Sequence, residues 1–278
     1  MSTNTFPPGD PVPAIPEAAA SGRVAAIFAE LREATGMPIV NLVWRHLATE
    51  PGALEWTWAA LGPLYRSGAV PGEAMHLHER MVLPAVAPWP RAALRAAGID
   101  AGAEATIAAV LASYDRGNSV NLLAFTALLA HLDGRPAASS PRIARPPSPG
   151  RALPPLVDLE RADPFAADLA LRLNRLGQPA QGPILASLYR HLAHWPGYLA
   201  LAWTLLEPLD RRGELAAAVA ATRAAAAAGA GALLPAIPAV PATAADRAFA
   251  RGALELFLGH GIARMTTIGR ILMAAQPD

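Results

Sequence analysis

The sequence predicts an all-α fold made of two tandem helical-bundle repeats, related by a pseudo-twofold axis and joined by a Pro-rich linker. Three observations support this prediction. Apolar residues recur at helical spacing, and no stretch alternates cleanly between apolar and polar residues as a strand would. Residues 38–70 align without a gap to residues 183–215, with 15 identities in 33 positions, which indicates a duplication. Seven of the 22 residues from 134 to 155 are proline, which excludes a regular helix between the copies.

The chain therefore divides into four segments: an N-terminal arm (1–20), repeat 1 (21–133), the linker (134–155) and repeat 2 (156–278). The arm contains five prolines and is expected to be flexible or to lie on the body of the protein. The linker is expected to be extended and long enough to cross from one repeat to the other.

The helices of repeat 1 follow from apolar spacing and from Pro and Gly. Pro38 suits the first turn of a helix, Pro51 requires that helix to stop, and Pro63 is expected to bend or end the next one. Gly117 is expected to separate the last two helices. The predicted helices are 23–34, 38–49, 52–66, 101–114 and 119–132 in repeat 1, then 164–176, 183–194, 197–212, 214–228 and one long helix over 244–275 in repeat 2.

Composition excludes several kinds of chemistry. The 278 residues carry a net charge of +1, and all 23 basic residues are Arg, so Schiff-base catalysis by Lys is excluded. The absence of Cys excludes thiolate nucleophiles and Cys-based metal sites. A balanced charge argues against nucleic acid as a partner. The uncharged run 224–245 contains three prolines, which argue against a membrane span, and the N-terminus does not resemble a signal peptide, so we expect a cytoplasmic protein.

A duplicated unit predicts one cleft between its copies, and ligand sites favour such interfaces. Positions where the copies differ are the best candidates for ligand contacts. Asn41, Asn118 and Asn121 interrupt apolar helices, and buried amides need partners. Their repeat counterparts are the non-polar residues Ala186, Ile262 and Met265. Ser187 likewise stands where repeat 1 has Leu42, and it is predicted to donate a hydrogen bond rather than act as a nucleophile.

Other patterns favour structural roles. The pairs Arg45-His46 and Arg190-His191 occur in both copies and are expected to hold helix ends, with an anion-binding pair as the alternative. The aromatic residues are expected to fill the core. The nearby histidines and glutamates, such as His76, lack a converging set of ligands, so we expect no metal site.

Residues 40–68 and 116–128, together with the duplicated helical plan, resemble the DehI-type (group I) 2-haloacid dehalogenases. The resemblance covers nearly the whole chain after about residue 15. Its anchors are Pro38, Arg45, Leu47, Ala48, Pro51, Gly52, Trp58, Gly117, Asn118, Gly182, Pro183, Trp195 and Pro196. It implies an enzyme that takes D- and L-2-haloacids and releases halide with inversion at C2. It also implies that a carboxylate activates the attacking water, in a pocket between the repeats, without a metal or organic cofactor.

The resemblance transfers to this sequence only in part. The family's pocket Asn corresponds to Asn118, the Tyr after it to Asn121, the aromatic wall positions to Ile39 and Leu42, and the Ser before the water-activating Asp to Ser187. The Asp itself falls at about Leu188, and residues 182–194 contain no Asp or Glu. The chain is thus identified as a divergent member that lacks the family's catalytic Asp. Replacement bases considered are Asp115, Glu55, Glu207 and Asp210.

Three functions stay open at this point. The protein is a haloacid dehalogenase, a hydrolase acting on another C2-substituted small carboxylic acid, or a non-catalytic small-acid-binding or structural relative. A likeness to carboxymuconolactone decarboxylase-like bundles has no motif behind it. The expected partner is a small carboxylic acid, and a homodimer is left open.

Overall fold

The computed structural model describes residues 12–137, 140–145, 148–178 and 184–277. Within these ranges the chain forms twelve α-helices, two short 3-10 turns and no strand, so the predicted all-α fold is confirmed. The helices are α1 (Gly22–Thr35), α2 (Leu42–Leu47), α3 (Ala53–Arg66), α4 (Ala69–Arg80), α5 (Arg91–Ala96), α6 (Ala101–Leu132), α7 (Pro164–Leu173), α8 (Ser187–Leu192), α9 (Pro196–Arg211), α10 (Glu214–Ala230), α11 (Ala244–His260) and α12 (Ile262–Ala274).

Helix order and spacing are alike in the two halves of the chain. Helix α8 begins and ends 145 residues after α2, and α10 begins 145 residues after α4, the same offset as the sequence repeat. The first repeat also contains α4 and α5, which were not predicted from the sequence. The pseudo-twofold axis and the repeat boundaries stay predictions, and the anchors Gly182 and Pro183 lie outside the described residues.

Local sequence explains where several helices begin. The side chain of Asp100 accepts a hydrogen bond from the backbone N–H of Ala103 at the start of α6. Asp163 caps α7 in the same way, with Pro164 in the first turn. Thr243 and Asp246 form a reciprocal capping box at the start of α11. Pro63 lies inside α3, which continues to Arg66 as predicted for the helix over 52–66, so the helix does not end at this proline.

The last helices of each half differ from the prediction. Residues 101–132 form one continuous helix, α6, rather than two helices separated at Gly117. The expected single helix over 244–275 is instead broken at Gly261, whose φ of −127° and ψ of −63° are not helical. Gly117 stays helical because its missing side chain makes room for Met37, since a Cβ there would lie 2.2 Å from the Met37 sulfur.

Two apolar cores form, and neither belongs to one half alone. One core unites α1–α4, the C-terminal half of α6 and α11. The other unites the N-terminal half of α6 with α5, α7–α9 and α12. Helix α6 thus runs through both cores, and its middle residues lie where the cores meet. None of the described helices has both the length and the apolar character that a membrane crossing requires.

The Pro-rich segments lie against the helices. In the described parts of residues 134–155 there is neither helix nor strand. The backbone N–H of Val157 donates to the carbonyl of Arg190 on α8, and that of Ile15 donates to the carbonyl of Arg45 on α2. The described end of the N-terminal arm therefore lies on the body of the protein, which was one of the two expectations for this segment. Residues 1–11 lie outside the described ranges.

Candidate functional site

A cavity of about 820 Å³ opens between the two cores, and both halves of the chain line it. Its walls come from α2, α8, the middle of α6 and the break between α11 and α12. The segments at residues 16–18 and 153–156 complete it. Pockets that hold small molecules typically measure about 300–1,000 Å³.

All six residues predicted to contact a ligand line this cavity. They are Asn118, Asn121, Asn41, Ser187, Ile39 and Leu42. Leu188, the position at which the resemblance places the water-activating Asp, lines it too. The structure therefore brings the predicted set together, and its role in binding a ligand stays a prediction.

Asn118 lines this cavity and has a buried side-chain amide. Its side chain is 7% exposed, and its Nδ2 has no hydrogen-bond partner among the described residues. An unpaired buried amide costs about 1–3 kcal/mol, which a ligand oxygen placed there would recover. Asn41 lies beside it, because its Oδ1 would be 3.1 Å from a Cβ on the neighbouring Gly117.

Asn121 is held firmly by the core. Its Oδ1 accepts hydrogen bonds from Trp44 Nε1 at 3.1 Å and from the Tyr65 hydroxyl at 2.8 Å. Because the carboxamide oxygen is engaged on the core side, the NH₂ group is the part of Asn121 that can serve a ligand.

Two arginines from corresponding positions give the cavity positive charge. Arg45 is 8% exposed and Arg190 is 6% exposed, and both line the cavity. Arg190 also donates from Nε to the carbonyl of Val157 at 3.0 Å, which ties α8 to the irregular segment before α7. Guanidinium groups in a mostly apolar surrounding favour an anionic ligand, which fits the alternative interpretation of this pair.

A tyrosine and a histidine form a second polar group in the cavity wall. The Tyr114 hydroxyl lies 2.7 Å from His191 Nδ1, and His191 Nε2 lies 2.9 Å from the carbonyl oxygen of Pro154. Burial lowers the pKa of His191 to about 4, so the ring is neutral at pH 7. Because a carbonyl oxygen can only accept, Nε2 carries the proton, and Nδ1 accepts the hydrogen bond that Tyr114 donates.

Sequence reasoning missed this pair as part of the site, although a signal existed. Tyr114 lies one helical turn before Asn118, on the same face of α6. The repeat counterpart of Tyr114 is Leu258, at the same offset of 144 residues that relates Gly117 to Gly261. The two halves therefore differ in polarity here, as they do at the asparagines. The expected break at Gly117 hid that Tyr114 and Asn118 share one helix.

Asp115, considered as a replacement base, does not line the cavity. It lies about 60° from Asn118 around α6, because residues three apart differ by about 300°. Its Oδ1 is 3.5 Å from His78 Nε2, and its Oδ2 accepts a hydrogen bond of 3.4 Å from Arg270. Burial raises the pKa of this carboxyl.

The other candidate bases are also directed elsewhere. Glu55 lies in the first turn of α3 and is partly exposed. Glu207 forms an ion pair with Arg211, and Asp210 accepts from the backbone N–H of Gly177. None of the three lines the cavity.

Among the described residues, Glu17 is the carboxylate that lines the cavity, and no sequence pattern predicted this. Its Oε1 accepts from the backbone N–H of Val40 at 2.8 Å, and its Oε2 accepts from Arg32 at 2.6 Å. These contacts tie the N-terminal arm to α1 and to the segment before α2. Among the described residues no group of three or more His, Asp or Glu side chains is arranged to hold a metal ion.

No family model and no curated protein sequence matches this chain. Solved structures do match it. Two are of a mutant D-2-haloacid dehalogenase, one of them in complex with D-2-CPA, each with a TM-score of 0.73, 22% identity, and 96% of this chain and 97% of the other covered. A third, D-2-haloacid dehalogenase with L-LA, has a TM-score of 0.71 and 22% identity over 94% of this chain and 96% of the other.

The chain has the fold of a D-2-haloacid dehalogenase. The resemblance stated from the sequence is thereby confirmed at the level of the fold, over nearly the whole chain. A shared fold does not by itself fix an activity, which depends on the chemistry of the residues in the cavity.

Proposed function

We propose that the protein is a dehalogenase-like hydrolase that binds a C2-substituted small carboxylic acid in the cavity and displaces the substituent with water. The unpartnered amide of Asn118 supports this proposal most directly, because it lies in a cavity flanked by Arg45 and Arg190. A carboxylate oxygen supplies the acceptor that Asn118 Nδ2 lacks, and the positive charge of the two arginines favours an anionic ligand. The dehalogenase fold makes C2 substitution the reaction to test first.

In the proposed reaction water attacks C2 of the acid from the side opposite the leaving group. The C2–O bond forms as the C2–halogen bond breaks, and halide leaves with the bonding electrons. A proton acceptor then has to remove one proton from the attacking water, since the product is a neutral hydroxyl.

We assign the proton to Tyr114 and His191. Water donates to the Tyr114 oxygen while Tyr114 passes its own proton to His191 Nδ1, 2.7 Å away. The resulting imidazolium keeps both contacts, because Nε2–H still donates to Pro154 and Nδ1–H now donates to Tyr114. With a pKa of about 4, His191 is as basic as an ordinary aspartate, whose pKa is about 3.9.

Glu17 is less suited to this role. Both of its oxygens accept short hydrogen bonds, and protonation would weaken the ion pair with Arg32 that fixes the arm. The Glu17 carboxylate therefore has a structural role in holding the N-terminal arm, and Glu17→Gln tests this role.

The experiment is halide release by the purified protein, with D- and L-2-chloropropionate and 2-bromopropionate tested separately. Tyr114→Phe and His191→Gln should each lower kcat by about 10²- to 10⁴-fold, the usual worth of general-base catalysis. Asn118→Ala should weaken substrate binding. Asp115→Asn, which alters a carboxylate outside the cavity, should keep the activity.

A second function has its own supporting observation. The resemblance implies that the family's base falls at about Leu188, and the carboxylates considered as substitutes do not line the cavity. A protein that binds the acid without turnover would release no halide, yet would be stabilised by a small carboxylate in an Asn118-dependent manner. That pair of results would replace the hydrolase with a binding protein.

A further inference from the structure

Corresponding residues of the two halves line the same cavity. At an offset of 145 these pairs are Ile39 and Ile184, Val40 and Leu185, Asn41 and Ala186, Leu42 and Ser187, Val43 and Leu188, and Arg45 and Arg190. At an offset of 144 they are Asn118 and Ile262, and Asn121 and Met265. The cavity is therefore built from two related walls, and the differences within each pair decide what it can hold.

The two walls differ in polarity at four of the eight pairs, three with the polar residue in the first half and one, Leu42 and Ser187, with it in the second. Three amides come from the first half, and at each of them the second half has an apolar side chain: Ala186, Ile262 and Met265. These three are 5–7% exposed and continuous with the two apolar cores. Leu185, Leu153 and Leu156 extend the apolar wall. A ligand that fits both walls carries a polar group at one end and an apolar portion along the other.

The amount of space is also informative. A cavity of about 820 Å³ is of the size that holds a drug-sized ligand. A three-carbon acid has a carboxylate, C2 and one methyl group, which can satisfy the amides and arginines but leaves most of the apolar wall uncovered. Exposed apolar surface that a ligand could cover is a source of affinity, worth about 0.8 kcal/mol for each buried CH₂.

We propose that the cavity selects carboxylic acids with an apolar tail, on the order of six to ten carbons in all, over three-carbon acids. The carboxylate and C2 lie at Asn118, Asn41 and the arginines, and the tail lies along Ala186, Ile262 and Met265. This proposal rests on the proposed function for the position of the acid group, and it adds the substrate class.

The test is calorimetric titration of the full chain with propionate, butanoate, hexanoate and octanoate, which carry no leaving group and are not turned over. Affinity should rise about fourfold for each added methylene, the factor that corresponds to 0.8 kcal/mol. Octanol, which has the tail without the carboxylate, should bind much more weakly than octanoate.

Two variants separate the acid end from the tail. Asn118→Ala should weaken all four acids by the same factor and leave the gain per methylene unchanged. Ala186→Leu, which fills space at the apolar wall, should weaken octanoate far more than propionate and so reduce the gain per methylene. Leu185→Ser, at a half-buried position that tolerates polarity, gives a second readout of the tail if the first variant is unstable.

Each outcome has a separate meaning. Affinity that does not change with chain length would overturn the tail proposal, while Asn118-dependent propionate binding would leave the proposed function standing. A gain per methylene that Ala186→Leu and Leu185→Ser do not alter would place the tail elsewhere and also overturn it. No binding of any acid would overturn both. In the halide assay, 2-bromooctanoate should show a higher kcat/KM than 2-bromopropionate.

Discussion

Acidification should destabilise the protein through His191. Burial is the main cause that lowers the pKa of this ring to about 4, and the neighbouring His194 and Arg190 act in the same direction. In the unfolded chain a histidine titrates near 6.5. The unfolded state therefore binds a proton that the folded state does not, so stability is present above about pH 6.5 and is lost as pH falls toward 4.

The size of the effect follows from these two pKa values. A difference of this size is worth about 3 kcal/mol when both states are fully titrated, at about 1.4 kcal/mol for each unit of pKa. Between pH 7 and pH 5 the loss should be about 2 kcal/mol, because the unfolded ring is then almost fully charged while the folded ring is still largely neutral. This is a large part of the roughly 5–15 kcal/mol that holds a typical domain folded.

The assay is urea denaturation of the wild-type protein and His191→Gln at pH 7, 6, 5 and 4.5. Gln can still donate a hydrogen bond toward the Pro154 carbonyl but has no proton to gain in this range. Other groups, among them His78, whose pKa burial also lowers, affect both proteins equally. The difference in the free energy of unfolding between the wild-type protein and His191→Gln should fall by about 2 kcal/mol between pH 7 and pH 5. A difference that stays constant with pH would refute the argument that His191 is buried as a neutral base.

Three further substitutions test the packing around the site, each by urea denaturation. Gly197→Ala should destabilise by about 1–3 kcal/mol or more, because its Cβ would lie 1.9 Å from a backbone oxygen at the end of α5. Its matched control, Gly252→Ala, adds a Cβ that meets nothing within 4 Å at an exposed position of α11 and should stabilise by about 0.5–1 kcal/mol. Asn121→Leu should cost at least about 2 kcal/mol, because Trp44 and Tyr65 both lose their acceptor.

The fold was predictable where physical constraints are local. Helical spacing, the prolines and the repeat led to the correct class and to the ends of α2 and α8 within a few residues. The helix predictions were wrong at two corresponding glycines: a helix continues through Gly117, where a break was predicted, and is broken at Gly261, where none was predicted. Gly117 lies inside a helix because Met37 fills the space its side chain would occupy, whereas Gly261 ends one helix and starts another. Local propensity is the same at both, and only tertiary packing distinguishes them.

The candidate site was predictable in part for a different reason. The sequence shows an Asn in a predicted apolar helix at a position where the other copy has a non-polar residue. The three residues of this kind, Asn41, Asn118 and Asn121, all line the cavity. Glu17 was not predictable, because nothing in the sequence shows that the arm folds back to this cavity. Whether Asp115 lines the cavity depends on how α6 is rotated about its own axis. Asp115 and Asn118 lie only about 60° apart around this helix, so a small rotation decides which of them faces the cavity.

The way the two halves are fixed explains how their cavity walls could diverge. Helices α2 and α8 are each held by a Pro-rich segment through the backbone: Ile15 donates to Arg45 in one half and Val157 to Arg190 in the other. A histidine ring in each half contacts a proline carbonyl as well, with His46 Nδ1 2.7 Å from Pro13 in the first. Because these contacts use main-chain atoms and the shared Arg-His pair, residues between them can change without loosening the helices. Substitution at such positions changes the ligand surface while α2 and α8 keep the same length, so the two halves of a duplicated scaffold can come to differ in polarity within one cavity.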